Sequence, residues 1–263
     1  ATATSAVPSV RFRAATTYID VSTQATHFGV SIDGAAPTYY ATGYSGASRT
    51  ASTRRITCDG VLRNYNIWST NAAGSGISHM LSVGVDSTPV AITVKKLHQF
   101  GDSITSAVLS TSTAHGDCMR VASALGMVGS SFGIAGQTSA ELATRIAAQV
   151  ALTNSNVATD IAVLAMGRND ANVFTSADWD TTVAAILGGY AKVLVRGVLN
   201  TGTSFSAFNA SMSAWVTAKA DARIVYIDPV TWTGISTIDG THPNDAGYVT
   251  LSSYCITAYT PHV

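Results

Sequence analysis

The chain has 263 residues, 46% of them hydrophobic and only 11% charged, with a formal net charge of +0. That apolar share excludes a disordered chain, and a neutral chain whose Lys95-Lys96 and Arg54-Arg55 are pairs rather than patches excludes a nucleic-acid or anionic-membrane binder. No apolar run nears the roughly 18 residues that a membrane-spanning helix needs.

Residues 1–95 read as β structure. Apolar and polar residues alternate over 10–14 and more loosely over 18–21. Phe28, Val30 and Ile32 alternate and run into Asp33-Gly34, a hairpin signal. Further strands are expected at 55–58, 62–68, 80–85 and 90–94, separated by turn clusters. The spacing predicts a small antiparallel β-sandwich, jelly-roll-like, over 1–95.

From 96 to 263 the pattern changes to strand alternating with helix. Strands are expected at 97–100, 128–134, 160–166, 191–198 and 223–227. Helices are expected at 117–126, 139–150, 176–187, 209–220 and 244–259. The run "DIAVLAM" at 160–166 is nearly all apolar, as a strand buried on both faces requires. Thr138-Ser139 with Glu141 close behind marks a helix start. This alternation predicts an α/β domain, a parallel sheet with helices on both faces, abutting the sandwich near 93–97.

Cys58, Cys118 and Cys255 show no metal-binding spacing. They read as three buried thiols, with a Cys118–Cys255 bridge as the alternative pairing. The six histidines are scattered, so neither metal nor organic cofactor is implied. Few charges among abundant Ser and Thr fit a secreted or virion-associated protein.

Ligands of an open parallel sheet bind beyond the carboxyl ends of its strands. Four loops fall there. "GDS" at 101–103 follows the first strand, and a helix directly after it would set its amides beside the Ser103 hydroxyl. "GIAGQTS" at 133–139 offers the Gly136 N–H. "GRND" at 167–170 offers the Asn169 amide. "DGTHPN" at 239–244 pairs Asp239 with His242. A serine hydroxyl attacks a carbonyl only when a base takes its proton. His242 is placed to be that base, and Asp239, three residues earlier, can hold its Nδ1. The oxyanion that forms needs preorganised donors, which the N–H groups of Ser103 and Gly136 and the Asn169 amide supply. Each loop alone is an ordinary turn; together they stand in one order at strand ends.

These residues resemble the SGNH (GDSL-type) hydrolase family. Its blocks fall on Gly101-Asp102-Ser103, Gly136-Gln137-Thr138, Gly167-Arg168-Asn169-Asp170 and Asp239-Gly240-Thr241-His242-Pro243. The resemblance covers about 96–263. It implies a flavodoxin-like three-layer fold, a catalytic triad of Ser103, His242 and Asp239, and an oxyanion hole of Ser103, Gly136 and Asn169. It implies ester hydrolysis through an acyl-enzyme, without naming the substrate. Phe132-Gly133 stands where members often carry an Asn. The stretch "AVLSTSTAHGD" after the nucleophile is poor in helix formers, so it delays the first helix or walls the site.

A sandwich followed directly by this domain is similar to the carbohydrate esterase family two layout. That points to an acylated carbohydrate, most simply an acetyl ester, as substrate. The alternatives are a lipase or thioesterase for longer chains, and a glycan-binding or virion attachment protein with a secondary esterase domain. Trp232 could stack on a sugar or pack under the last helix. Arg168 could touch substrate oxygens or brace a loop. Asp102 is expected to brace loop backbone.

Overall fold

The architecture is known from a computed structural model, which describes residues 9–25, 27–35, 38–42, 52–70, 80–90, 94–110, 116–153 and 155–263. Alternation shapes the N-terminal part. Strands β1 (Ser9–Ala15), β2 (Tyr18–Thr23), β3 (His27–Ile32), β4 (Thr38–Ala41), β5 (Ser52–Thr57), β6 (Leu62–Thr70) and β7 (Met80–Val85) form two antiparallel sheets. Their orders are β1-β6-β3-β4 and β5-β2-β7. Inward-facing Phe12, Phe28, Val30, Tyr65 and Ile67 of one sheet meet Ile19, Val21 and Ile56 of the other in one core. That is the face-to-face packing that a period of two dictates.

The Asp33-Gly34 hairpin signal is followed by the short β4, which shows no range of its own in the sequence and which pairs antiparallel with β3. Of the strand expected at 90–94, Val90 bridges to Arg13, and residues 91–93 lie outside the described residues.

The second part carries five parallel strands, β8 (Lys96–Gly101), β9 (Val128–Gly133), β10 (Ile161–Ala165), β11 (Lys192–Arg196) and β12 (Ile224–Ile227). Their order is β12-β11-β10-β8-β9. Read from β9, the second strand lies beside the first, then the third, fourth and fifth, which is the flavodoxin-like order. The order reverses between β8 and β10, and a crevice opens there beyond their carboxyl ends.

Helices α1 (Asp117–Ala124) and α5 (Asp245–Tyr259) cover one face, where Cys118, Val121, Leu251 and Cys255 meet Leu97 and Val163. Helices α2 (Ser139–Leu152), α3 (Ser176–Leu187) and α4 (Ser206–Lys219) cover the other, where Ile146, Trp179, Val183 and Met212 meet Phe100 and Leu164. Every residue of β10 is therefore buried, which explains its unbroken apolar run. The α2 start is a full capping box: Thr138 accepts from the Glu141 amide and Glu141 accepts from the Thr138 amide.

The sandwich rests on the α1 side of the sheet. Trp68 packs on Met119 with Tyr39 beside them, and the Arg11 guanidinium donates to the Gly126 carbonyl.

One charge pair lies inside the core. Arg196 is 3% and Asp117 0% exposed at the side chain, and they form an ion pair. Gln99 Nε2 donates to both Asp117 oxygens at 3.3 Å. The thiols are not bridged. Cys118 and Cys255 are buried and free, and Cys58 is half-exposed rather than buried. Cys118 Sγ donates instead to the Ser130 carbonyl at 3.4 Å, and Cys255 Sγ lies 3.6 Å from Arg196 Nη1. Burial pushes the Cys255 thiol up to about 12. Among the described residues no helix is long and apolar enough to cross a membrane.

Candidate active site

The first loop is shaped by its close neighbours. A side chain at Gly101 would collide with Thr105 Oγ1 and the Ala165 carbonyl, so the tight exit from β8 requires glycine. The stretch after Ser103 delays the first helix, as its lack of helix formers implies. Residues 103–109 form successive turns, with Ser106 N–H donating to the Asp102 carbonyl and Val108 N–H to the Ser103 carbonyl, both at 3.0 Å. Among the described residues the first helix begins at Asp117, within the expected 117–126, so none of them places a helix N-terminus directly behind the hydroxyl. The turn is held from outside: Ser131 Oγ donates to the Thr105 carbonyl at 2.6 Å and Tyr248 Oη to the Ile104 carbonyl at 2.8 Å.

The last loop brings a base to this serine. The Asp239 carboxylate accepts from the Thr241 and His242 amides at 2.9 and 2.8 Å and faces His242 Nδ1 at 2.7 Å. The His242 amide above all, then its ring, holds this carboxyl well below the usual carboxylate range. An ionised partner fixes the proton on Nδ1 and leaves the Nε2 lone pair free. Nε2 lies 2.9 Å from Ser103 Oγ. Asn244 caps α5 by accepting from the Gly247 amide at 2.8 Å, which anchors the loop to the helix.

The two middle loops are tied together. Asn169 Nδ2 donates to the Gln137 carbonyl at 2.9 Å, and Asp170 Oδ1 accepts from the Ser139 amide at 2.8 Å. An amide group has two N–H bonds, so Asn169 keeps one. Gly136 has a φ of +76 with nothing within 4 Å of the place a side chain would fill. Its conformation disfavours other residues and leaves open space for a ligand. Among the described residues neither the Ser103 nor the Gly136 N–H donates to a partner.

The GDSL-like Lipase/Acylhydrolase family matches residues 100–249, more than half of the chain. The chain belongs to this family. It is a carboxylic ester hydrolase. No curated protein matches the sequence. Among solved structures, a family two carbohydrate esterase from Clostridium thermocellum in complex with cellohexaose is similar, with a TM-score of 0.68 at 13% identity. The match covers 98% of this chain and 93% of that one. An acetyl xylan esterase from the rumen bacterium Butyrivibrio proteoclasticus gives a TM-score of 0.57 at 12% identity, covering 96% and 89%. A salicylyl-acyltransferase from a tetracycline biosynthetic pathway gives 0.64 at 12%, covering 96% and 82%. At these identities the likeness is one of fold.

In this member of the GDSL-like family the Arg168 side chain faces inward. It donates to the carbonyls of Leu199 and Thr201 at 3.0 and 2.7 Å and to Thr241 Oγ1 at 2.8 Å, and lies 4.8 Å over the Phe205 ring. It thus braces the His242 loop against the loop after β11, the second of the two roles expected for it. Trp232 stacks on Tyr254 of α5 at 5.4 Å and 5° and packs on the core beneath.

Asp102, expected to brace backbone, accepts from the Ile104 amide at 3.0 Å. Burial pushes its carboxyl up to about 6, against the opposing pull of that amide and of Arg196. A pKa above the unfolded 3.8 means the folded state binds the proton more tightly. The stability this contributes is full below pH 3.8 and lost as pH rises through 6. Asp102→Asn keeps the acceptor and removes the titration. It is expected to gain about 2 kcal/mol relative to wild type between pH 4 and pH 8, measured by urea unfolding at both pH values.

Two groups around the site were not singled out from the sequence. Tyr248, which holds the nucleophile turn, carries no local signal. Arg196 did carry one: a lone arginine in the apolar run at 191–198 demands a buried acid.

Proposed function

We propose that the protein hydrolyses small acyl esters, acetyl groups on carbohydrate above all, with Ser103 as nucleophile. His242 Nε2 takes the hydroxyl proton as Oγ attacks the ester carbonyl, and Asp239 stabilises the imidazolium. The N–H groups of Ser103 and Gly136 and the second N–H of Asn169 receive the oxyanion. The imidazolium returns its proton to the departing alcohol. Water, deprotonated by His242, then releases the acid from Ser103. The observation that carries this reading is the hydrogen-bond chain from Ser103 Oγ to His242 at 2.9 Å and from His242 to Asp239 at 2.7 Å.

Carbohydrate as the alcohol is supported by the fold shared with the cellohexaose-bound esterase and the acetyl xylan esterase. A polymeric substrate also fits a secreted or virion-associated protein. The packing of Trp68 on Met119 supports an accessory, bracing role for residues 1–95.

The test is acetate release from acetylated polysaccharides, with acetyl and octanoyl esters of one activated alcohol compared in parallel. The acetyl ester is expected to react at least roughly tenfold faster, the cost of about two methylenes without a pocket. Faster octanoyl turnover would turn the assignment to a lipase.

A further inference from the structure

We infer that Tyr248 is a positioning residue for the reaction, a strut that sets the distance between Ser103 and His242. The inference rests on the esterase reading above. Nucleophile and base arrive on different elements, 139 residues apart in sequence. Ser103 stands on the turn after β8, and His242 on the loop that opens α5. Tyr248 lies in the first turn of α5, six residues beyond His242. Its hydroxyl donates to the carbonyl of Ile104, the neighbour of Ser103, at 2.8 Å. One hydrogen bond thus joins the helix behind the base to the turn that carries the nucleophile. With the bond from Ser103 Oγ to His242 Nε2 it closes a ring.

The helix end of the strut is rigid. Tyr248 is fully buried and packs with Ile104 and Leu251 in one core. Its amide donates to the Asn244 carbonyl at 2.9 Å, and the Asn244 side chain caps the helix. A side chain at Gly247 would collide with the Ser236 carbonyl, so the first turn of α5 lies directly against the loop of His242. Burial holds the Tyr248 hydroxyl well above its ordinary range, so it keeps its proton and stays a donor.

The turn end needs such a hold. Ala107 and Leu109 have φ of +54 and +67, left-handed values that persist in other residues than glycine only where the surroundings impose them. The Ile104 carbonyl also accepts from the Ala107 amide at 3.1 Å. Removing the tyrosine hydroxyl therefore leaves that carbonyl a partner while uncoupling the turn from α5. A misplacement of about 1 Å between reacting groups costs on the order of 100-fold in rate.

The experiment uses the full chain and compares Tyr248→Phe with Ser131→Ala on an activated acetyl ester, at a temperature where urea unfolding shows both folded. Ser131 holds the same turn at the Thr105 carbonyl, but from β9 rather than from the helix behind His242. Tyr248→Phe is expected to lower kcat by roughly 10- to 100-fold with KM unchanged. Modification of Ser103 by a sulfonyl fluoride is expected to slow by the same factor. The low-field proton resonance of His242 Nδ1 is expected to stay in place, because Asp239 still accepts from it. Ser131→Ala is expected to lower kcat less than Tyr248→Phe does. Unchanged kcat in Tyr248→Phe, an equal fall in both variants, or loss of the His242 resonance overturns the inference while leaving the esterase reading intact. Wild-type turnover no higher than that of Ser103→Ala overturns the esterase reading itself, and this inference with it.

Discussion

Ser103→Ala is expected to lower kcat for hydrolysis of an activated acetyl ester by on the order of a millionfold, with folding unchanged. The side chain is 6% exposed and its hydroxyl meets His242 Nε2, so the alanine removes one oxygen and leaves no buried partner stranded. His242→Ala is expected to cost about as much, and the double variant little more, because nucleophile and base act as one unit. Asn169→Ala removes a single donor and leaves the triad in place. Its loss is expected in kcat, at roughly 100- to 1000-fold. Steady-state kinetics on the four variants distinguishes this ordering from independent, additive contributions.

Arg196→Met is expected to destabilise the protein by about 3–5 kcal/mol, read from urea unfolding. The pair it breaks is fully interior: Asp117 is 0% exposed at the side chain, and without Arg196 its charge retains the Gln99 amide at 3.3 Å and the Cys255 thiol at 3.9 Å. Arg196→Met combined with Asp117→Leu removes both charges and is expected to recover most of the loss, since a buried ion pair is worth little over an apolar pair of similar volume. The network also bears on activity. Gln99 Nε2 reaches Thr105 Oγ1 at 3.1 Å, within the turn that presents Ser103. Residual activity in the double variant measures how far that turn depends on the charges beneath it.

How much of this was legible beforehand follows from where each signal resides. The strand at 160–166 was plain because burial on both faces writes an unbroken apolar run into the sequence. The start of α2 was plain because Thr138 and Glu141 satisfy each other locally. The loops at 101–103, 136–138, 167–170 and 239–243 were plain because each lies at the end of a recognisable element, and the structure brings Ser103, His242 and Asp239 into one hydrogen-bonded chain.

What was not legible is long-range or unpatterned. The turns after Ser103 are closed by Tyr248 and Ser131, both distant in sequence. The four-residue β4 is too short to show a period. Arg168 and Trp232 each have partners more than 20 residues away, Thr201 and Thr241 for Arg168 and Tyr254 for Trp232, which no local pattern announces. The thiols Cys118 and Cys255 lie on adjacent helices, yet each turns to a different neighbour.

The site combines a rigid base with an open mouth. Asp239 is clamped by two amides of its own loop, Arg168 ties that loop to the neighbouring one, and Gly136 leaves space where the oxyanion would form. Such preorganisation is what stabilises charge only as it develops.

The most direct test of the central claim is mass spectrometry of the protein acid-quenched during turnover of an activated acetyl ester, followed by peptide mapping. One acetyl group on the peptide carrying Ser103, absent from Ser103→Ala, is the expected result. An acetyl group on a different residue, or undiminished turnover in Ser103→Ala, would contradict it.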